Sequence, residues 1–299
     1  MSITRFLDLE PVFSADVEKG TILFIGTATV LLQYAGFTVL TDPNFLHRGE
    51  YVRLGYGLRS RRLTDPALDI DALPALDLVV LSHLHEDHWD RVAEARLPRS
   101  LPIVTTPEAA DTLGQKGFLA PEPLATWQTL AVSRGDVTLR ITSMPGRHGG
   151  PTISRLLPSV MGSLLEFETD DGDLLLRMYI TGDTLVYEGL REIRHRYRDI
   201  DLALLHLGGT RVVGVLVTMD GRQGVEAMRI VDPKMAIPIH YDDYTVFKSP
   251  LSDFQHEVEA AGLASRVHYL HHGETYHFTG RPTRRRAASP LQRDAFPAG

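Results

Sequence analysis

Three histidines and an aspartate fall within six residues in Ser82-His83-Leu84-His85-Glu86-Asp87-His88-Trp89-Asp90. Imidazoles and carboxylates at this density form a metal-ligand set. Without thiolate they suit Zn, Mn or Fe at a reactive site, whereas closed structural zinc sites usually use Cys. The cluster follows directly on Leu78-Val79-Val80-Leu81, an apolar run that reads as a buried strand. Ligand loops in α/β folds gather at strand C-termini, where the strand holds them rigidly. In an extended stretch His83 and His85 point to one side and can share an ion. Asp87 and His88 come after the chain begins to turn and can face a second ion. The competing reading, surface histidines beside a helix N-terminus capped by Asp87, is outweighed by the rarity of such a cluster.

Four ligands in one loop cannot complete two sites, so others are expected at further strand ends. Ser143-Met144-Pro145-Gly146-Arg147-His148-Gly149-Gly150 puts a histidine in a glycine-rich loop after an apolar strand. Ile180-Thr181-Gly182-Asp183-Thr184 puts an aspartate where a strand meets a helix. Ile237-Pro238-Ile239-His240-Tyr241 puts a histidine at the end of another apolar run. Each is weak alone. A strand-end histidine is more often a hydrogen-bonded core residue, and Asp183 could cap a helix over 185–197. In this order, with the first cluster, they form a set.

The rest of the chain must hold these loops together. Apolar runs over 21–25, 30–33, 37–40, 78–81, 103–104, 137–142, 174–180, 202–205 and 236–239 read as strands. Segments 107–113, 185–197, 224–230 and 251–261 read as helices, the first with Pro107 at its start and Gly114 past its end. Alternating strands and helices indicate an α/β protein. The uncharged stretch 20–41 is long enough to span a bilayer. Its threonines, its glycines and the break at Tyr34-Ala35-Gly36 make it strands and turns instead. The 299 residues include 13 histidines and no cysteine, which excludes a disulfide scaffold, an iron–sulfur protein and a thiol nucleophile. A net charge of −7 argues against nucleic acid as a partner. The charged N-terminus lacks a secretory apolar core, so a cytoplasmic location without a transmembrane segment is expected. One domain over 1–280 is expected, then a mobile tail over 281–299 carrying Arg281, Arg284, Arg285, Arg286 and Arg293.

The order Asp42, His83-x-His85-x-Asp87-His88, His148, Asp183 and His240 resembles the metallo-β-lactamase superfamily, over roughly residues 21–278. Gly26-Thr27-Ala28-Thr29-Val30-Leu31-Leu32, Thr41-Asp42-Pro43, Val231-Asp232-Pro233 and His272-Gly273-Glu274 are similar to its branch with the N-acylphosphatidylethanolamine phospholipase D enzymes and ascorbate-phosphate lactonases. The resemblance implies an αββα sandwich with two divalent metal ions at one edge of the sheets, zinc first, with manganese or iron as alternatives. It implies that His83, His85 and His148 hold the first ion, that Asp87, His88 and His240 hold the second, and that Asp183 bridges them. Asp42 would buttress a metal-bound histidine and fix its tautomer. His206 departs from the pattern, since relatives usually carry proline or an apolar residue there, and it is a candidate for the substrate side.

Two such cations would lower the pKa of a bridging water, giving a hydroxide that attacks an ester, lactone or phosphodiester. Asp87 and Asp183 would neutralise the ions and steer the water's proton. Tyr241, Asp242, Asp243 and Tyr244 either reach the cleft or only end the strand. The loop over 45–63 carries Arg48, Arg53, Arg59, Arg61 and Arg62 and could fold over the metal edge as a lid, where arginine, with Arg59 as a candidate, suits an anionic small-molecule substrate. Homo-oligomerisation is left open. The alternatives are a redox di-iron protein, which in flavin-coupled relatives usually has glutamate where His85 stands, and a noncatalytic binding module, which would have lost ligands. Trp89 is expected to pack the next helix, and His47, His195, His256, His268, His271 and His277 to be surface or structural.

Overall fold

The computed structural model describes residues 4–10, 16–54, 57, 59–150, 157–212 and 214–283. The chain opens with β1 (Thr4–Asp8), β2 (Lys19–Gly26), β3 (Thr29–Tyr34) and β4 (Phe37–Thr41). A two-stranded ribbon follows, β5 (Tyr51–Arg53) and β6 (Arg59–Arg61). Next come β7 (Leu78–Val80), α1 (Arg91–Arg96), β8 (Ile103–Thr105), α2 (Pro107–Gln115) and β9 (Pro121–Pro123). The meander β10 (Thr129–Arg134), β11 (Val137–Pro145), β12 (Met161–Thr169) and β13 (Leu174–Ile180) leads to α3 (Glu188–Arg196) and β14 (Leu202–His206). The short pair β15 (Arg211–Val212) and β16 (Val215–Leu216), then α4 (Gly221–Val231), β17 (Met235–Ile239), α5 (Leu251–Ala260) and β18 (Thr275–Thr279), complete it.

Two seven-stranded sheets result, ordered β1-β10-β11-β12-β13-β14-β17 and β18-β2-β3-β4-β7-β8-β9. Alternation along the strands explains the layers. In β14, Leu202 and Leu204 enter the core between the sheets, while Ala203 and Leu205 pack under α3, α4 and α5. In β7, Leu78 and Val80 face that same core, while Val79 faces outward to Ala93 of α1 and Leu113 of α2. Phe167 of the first sheet meets Tyr34 and Phe37 of the second, with ring centroids 5.0 and 5.8 Å apart. The architecture is the expected αββα sandwich. Strands buried on both faces read as unbroken apolar runs because neither face meets water. No helix among the described residues is long and apolar enough to cross a membrane.

Parallel pairings join β13 to β14 and β14 to β17 in one sheet, and β4 to β7 and β7 to β8 in the other. Strands that run in parallel end at one edge. The segments after β4, β7, β11, β13 and β17, and the last residue of β14, therefore meet there. Helix boundaries shift modestly from the sequence reading. The first long helix runs through Gly114 to Gln115, and α3 starts at Glu188 with Tyr187 at its N-cap, so Asp183 caps nothing. The tail expected over 281–299 lies outside the described residues from 284 onward. Arg281 belongs with the fold: its backbone N–H donates to Leu175 O at 2.7 Å and its guanidinium pairs with Asp201 at 2.9 Å.

Asp90 fastens the ligand loop to its surroundings. One carboxylate oxygen caps α1 through Val92 N and Ala93 N at 2.9 and 2.8 Å. The other accepts Phe45 N and Leu46 N at 2.5 and 2.7 Å. Asp90→Ala removes the cap and leaves buried N–H groups unpaired, so it should cost about 2–4 kcal/mol. Chemical denaturation measures this, and a loss below about 0.5 kcal/mol would show that water replaces the carboxylate at no cost.

Candidate metal centre

Asp42 follows β4 with φ 35°, an uncommon backbone for a non-glycine residue that turns its carboxylate into the protein. The side chain is buried and accepts Ser82 N at 2.6 Å on Oδ1 and Ser82 Oγ at 2.8 Å on Oδ2. His88 Nδ1 lies 3.0 Å from Oδ2. Burial pushes this carboxyl up, but His88 and His206 outweigh it and hold it at about 2, so it is ionised and only accepts. His88 therefore donates from Nδ1, and its Nε2 has no hydrogen-bond partner. Ser82 Oγ–H donates its hydrogen bond to Asp42, so the same oxygen accepts from His83 Nδ1 at 3.0 Å. That frees His83 Nε2 in turn.

The other imidazoles are fixed by main-chain carbonyls. His148 Nδ1 donates to Val217 O at 2.9 Å and His240 Nδ1 to Leu207 O at 3.0 Å. Their Nε2 atoms are left as ligand atoms. Loop geometry supplies the placement. After β7 a single turn bonds His88 N and Trp89 N to His85 O, both at 2.9 Å. Gly182 has φ 61°, and a Cβ there would sit 2.6 Å from Met161 O, so only glycine lets the chain deliver Asp183. His240 has φ 62° and its N–H donates to Thr27 O at 2.6 Å, tying it to the opposite sheet.

All seven expected ligands come together. His83 Nε2 and His148 Nε2 lie 2.9 and 3.3 Å from His85 Nδ1. Asp87, His88 and His240 form a second group whose ligand atoms lie within 4.8 Å of one another. Asp183 Oδ1 lies 3.4 Å from His88 Nε2, and Asp183 also groups with His83 and His88, one residue from each set. Thr218 Oγ1 steadies its other oxygen at 2.9 Å. Asp87 Oδ1, His88 Nε2, Asp183 Oδ1 and His240 Nε2 are buried without a hydrogen-bond partner. Four such atoms converging in one place is unlike an ordinary core, where buried polar groups are paired. The donor set fits divalent cations.

The charges divide the site. Burial, then neighbouring imidazoles, lowers His83 well below the usual histidine value and His85 to about 4. His148 is lowered mainly by burial. These three rest neutral, as metal ligands must. His88 and His240 are raised: burial opposes a proton there, but Asp183 and Asp87 overcome it. Where two carboxylates draw in a proton, they also draw in a cation.

Other residues fall away from the cluster. His206 lies behind His88, buried against Asp42, not on the substrate side. Tyr241 donates its hydroxyl to Leu270 O at 2.8 Å, and Asp242 accepts Leu251 N at 3.2 Å at the start of α5. Both serve the end of β17. Asp243 binds Thr27 N at 2.5 Å and His272 at 3.2 Å, and Tyr244 donates to Asn44 Oδ1 at 3.0 Å. Arg62 is wholly buried, bonding Asn44 Oδ1 and Thr64 O, so it clamps its loop. Ser82, Val217, Leu207 and Thr218 escaped the sequence reading. Only Ser82, adjacent to His83, carried any signal there.

Among the seven candidate ligands only His85 is more than marginally exposed, and it lines a cavity of about 710 Å³. Leu54, Leu84 and Trp89 give it apolar walls, and Arg53, Arg91, Arg99, Lys116, Glu86 and Glu94 add charge to its lining. Trp89 also packs edge-on to Phe118 at 5.3 Å. Arg59 pairs across the ribbon with Arg53, one side chain from the cavity.

Two outcomes are expected. Asp42→Asn should weaken divalent-cation affinity about 10- to 100-fold in chelator competition, with the fold unchanged; undiminished affinity would reduce Asp42 to a turn residue. Metal affinity should also rise as pH increases past the ordinary histidine value of about 6.5, because a cation must displace protons held on the raised His88 and His240. Affinity independent of pH above that value would contradict the assignment of those two imidazoles.

The profile of the β-lactamase superfamily domain matches residues 38–241, a span containing every residue of the cluster. A UPF0173 metal-dependent hydrolase of Archaeoglobus fulgidus is 28% identical over 213 residues, covering 68% of this chain and 82% of the relative. Among solved structures, an isothiocyanate hydrolase from Delia radicum gut bacteria superposes with a TM-score of 0.73 at 22% identity, over 87% of this chain and 99% of that one. CmlA, a diiron β-hydroxylase from Streptomyces venezuelae, superposes with a TM-score of 0.62 at 15% identity, over 88% of this chain and 54% of that one. At such identities these two structures speak for the fold alone. The profile spans more than half of the sequence, and the chain belongs to the β-lactamase superfamily.

Proposed function

We propose that the chain is a metal-dependent hydrolase that holds two divalent ions, one at His83, His85 and His148, the other at Asp87, His88 and His240, with Asp183 between them. The observation that carries this reading is the convergence of four buried, unpartnered ligand atoms with three imidazoles already in the neutral state. Zinc suits imidazole and carboxylate donors best, with manganese or iron as alternatives. Bound ions would supply a water that ionises at neutral pH and would polarise the bond under attack. Asp183 and Asp87 would balance the charge of the ions and steer the water's proton. The cavity beside His85 admits the substrate, and its size lies in the range of small-molecule sites.

The bond cleaved is an ester, lactone or phosphodiester, on a substrate with an apolar body and an anionic group. Among the described residues, four cationic side chains against two acidic ones line the cavity, on a protein of net charge −7. Lys116 is paired with Glu94 at 2.5 Å and Arg91 with Glu50. Arg99 has no carboxylate partner among the described residues; its guanidinium lies 4.3 Å over the Phe118 ring, a fixed platform for an oxyanion.

Metal-reconstituted protein should be screened against lactones, bis-p-nitrophenyl phosphate, phospholipid analogues and a β-lactam. His85→Ala should abolish turnover. Arg99→Met should raise KM for an anionic substrate roughly 10-fold and leave a neutral one unchanged. Equal effects on both would remove the anionic preference. Since the same fold occurs in a diiron hydroxylase, the metal is part of the test. Turnover by redox-inert zinc protein supports hydrolysis, whereas oxygen consumption by iron-loaded protein alone would overturn it.

A further inference from the structure

His206 is a buried titratable group that the proposed reaction does not use. It ends β14 and is fully buried. Its backbone N–H donates to Thr181 Oγ1 at 2.9 Å, and the same hydroxyl lies 3.2 Å from His206 Nδ1. The ionised Asp42 carboxylate can only accept, and its Oδ2 lies 3.3 Å from His206 Nε2, so the ring proton sits on Nε2. Nδ1 is then bare and accepts from the Thr181 hydroxyl. The ring stacks on His88, with centroids 5.8 Å apart and planes at 18°.

Both nitrogens are thus occupied, unlike those of the imidazoles in the ligand cluster. Asp42, His88 and His206 do lie close enough to hold a cation. However, His88 Nδ1 and His206 Nε2 both direct a proton at one carboxylate oxygen, so this triangle is already filled by hydrogen bonds. It also bridges the sheets. In the first sheet Thr181 follows β13, two residues before Asp183, and His206 ends β14, while Asp42 follows β4 of the second.

We propose that His206 is a positioning residue: its Nε2–H clasps the Asp42 carboxylate across the sheet edge and so sets how firmly His88 is aimed at its cation. Asp42 Oδ2 then has three donors, Ser82 Oγ, His88 Nδ1 and His206 Nε2. Without the third, the carboxylate can rotate and take His88 with it. Phenylalanine keeps the stacked ring and loses both hydrogen bonds. Glutamine keeps a donor for Asp42 and an acceptor for Thr181.

The first readout rests on the ion-binding reading above. In chelator competition with Zn²⁺, His206→Phe should bind the ion about 10-fold or more weakly, the range for groups that orient ligands, and His206→Gln should recover most of that loss. The visible spectrum of the Co²⁺-loaded protein should change in the Phe variant and return toward the parent in the Gln variant. Unchanged affinity and spectrum in His206→Phe, or an equal loss in both variants, would overturn the clasp. The second readout is independent of any ion. Long-range ¹H–¹⁵N spectra of the metal-free parent should show His206 protonated on Nε2 and bare on Nδ1. The opposite tautomer would refute the assignment even if no ion binds. A parent that takes up no divalent ion, with the expected tautomer, would instead refute the metal-dependent reading and leave the clasp standing.

Discussion

One buried carboxylate governs the centre. Asp42 accepts a hydrogen bond from His88 directly and, through Ser82, controls His83. It therefore decides which nitrogen two imidazoles present, and these belong to the two different ligand groups. An unpaired buried anion would be costly, and backbone and side-chain donors remove that cost while fixing the carboxylate's orientation. The left-handed backbone at Asp42 is strained for a non-glycine residue, and the surrounding bonds, including Thr29 Oγ1 to Asp42 O at 2.7 Å, hold it.

Around this anchor the two sheets contribute unequal halves. The sheet containing β4 and β7 delivers the anchor and the contiguous ligand loop. The other delivers His148, Asp183 and His240 from three separate strand ends. The ends are held by bonds that cross between the sheets, such as His240 N to Thr27 O and Asp243 to Thr27 N. Packing of Phe167 against Tyr34 and Phe37 keeps the layers in register. Precision at the site is therefore a property of both sheets together, and loosening either would spread the ligand atoms.

The electrostatic division matches this geometry. The all-histidine group is kept neutral by burial, and the group with carboxylates attracts positive charge. Of the seven candidate ligands, only His85 opens toward the cavity. The arginines of the 45–63 loop have separate tasks: Arg62 is a buried clamp, Arg53 faces the cavity, and Arg59 stands beside it. Five arginines close in sequence offer a contact to an anionic group, and tertiary burial takes Arg62 out of that set.

The local sequence determined the ligand loop and the layer type. His83, His85, Asp87 and His88 are close in sequence because one turn after a strand must deliver them. The apolar runs are unbroken because both faces of those strands are covered. His148, Asp183 and His240 were legible as strand-end residues, but their convergence depends on strand order, which no local pattern encodes. Residues such as Tyr241, Asp242 and His206 have the same types as catalytic groups. Only the structure shows their polar atoms already committed to Leu270 O, Leu251 N and Asp42. The tautomers of His148 and His240 depend on the carbonyls of Val217 and Leu207, and a carbonyl has no side-chain signature. Sequence thus set which groups could act, while hydrogen bonding between distant segments decided which atoms were left free to do so.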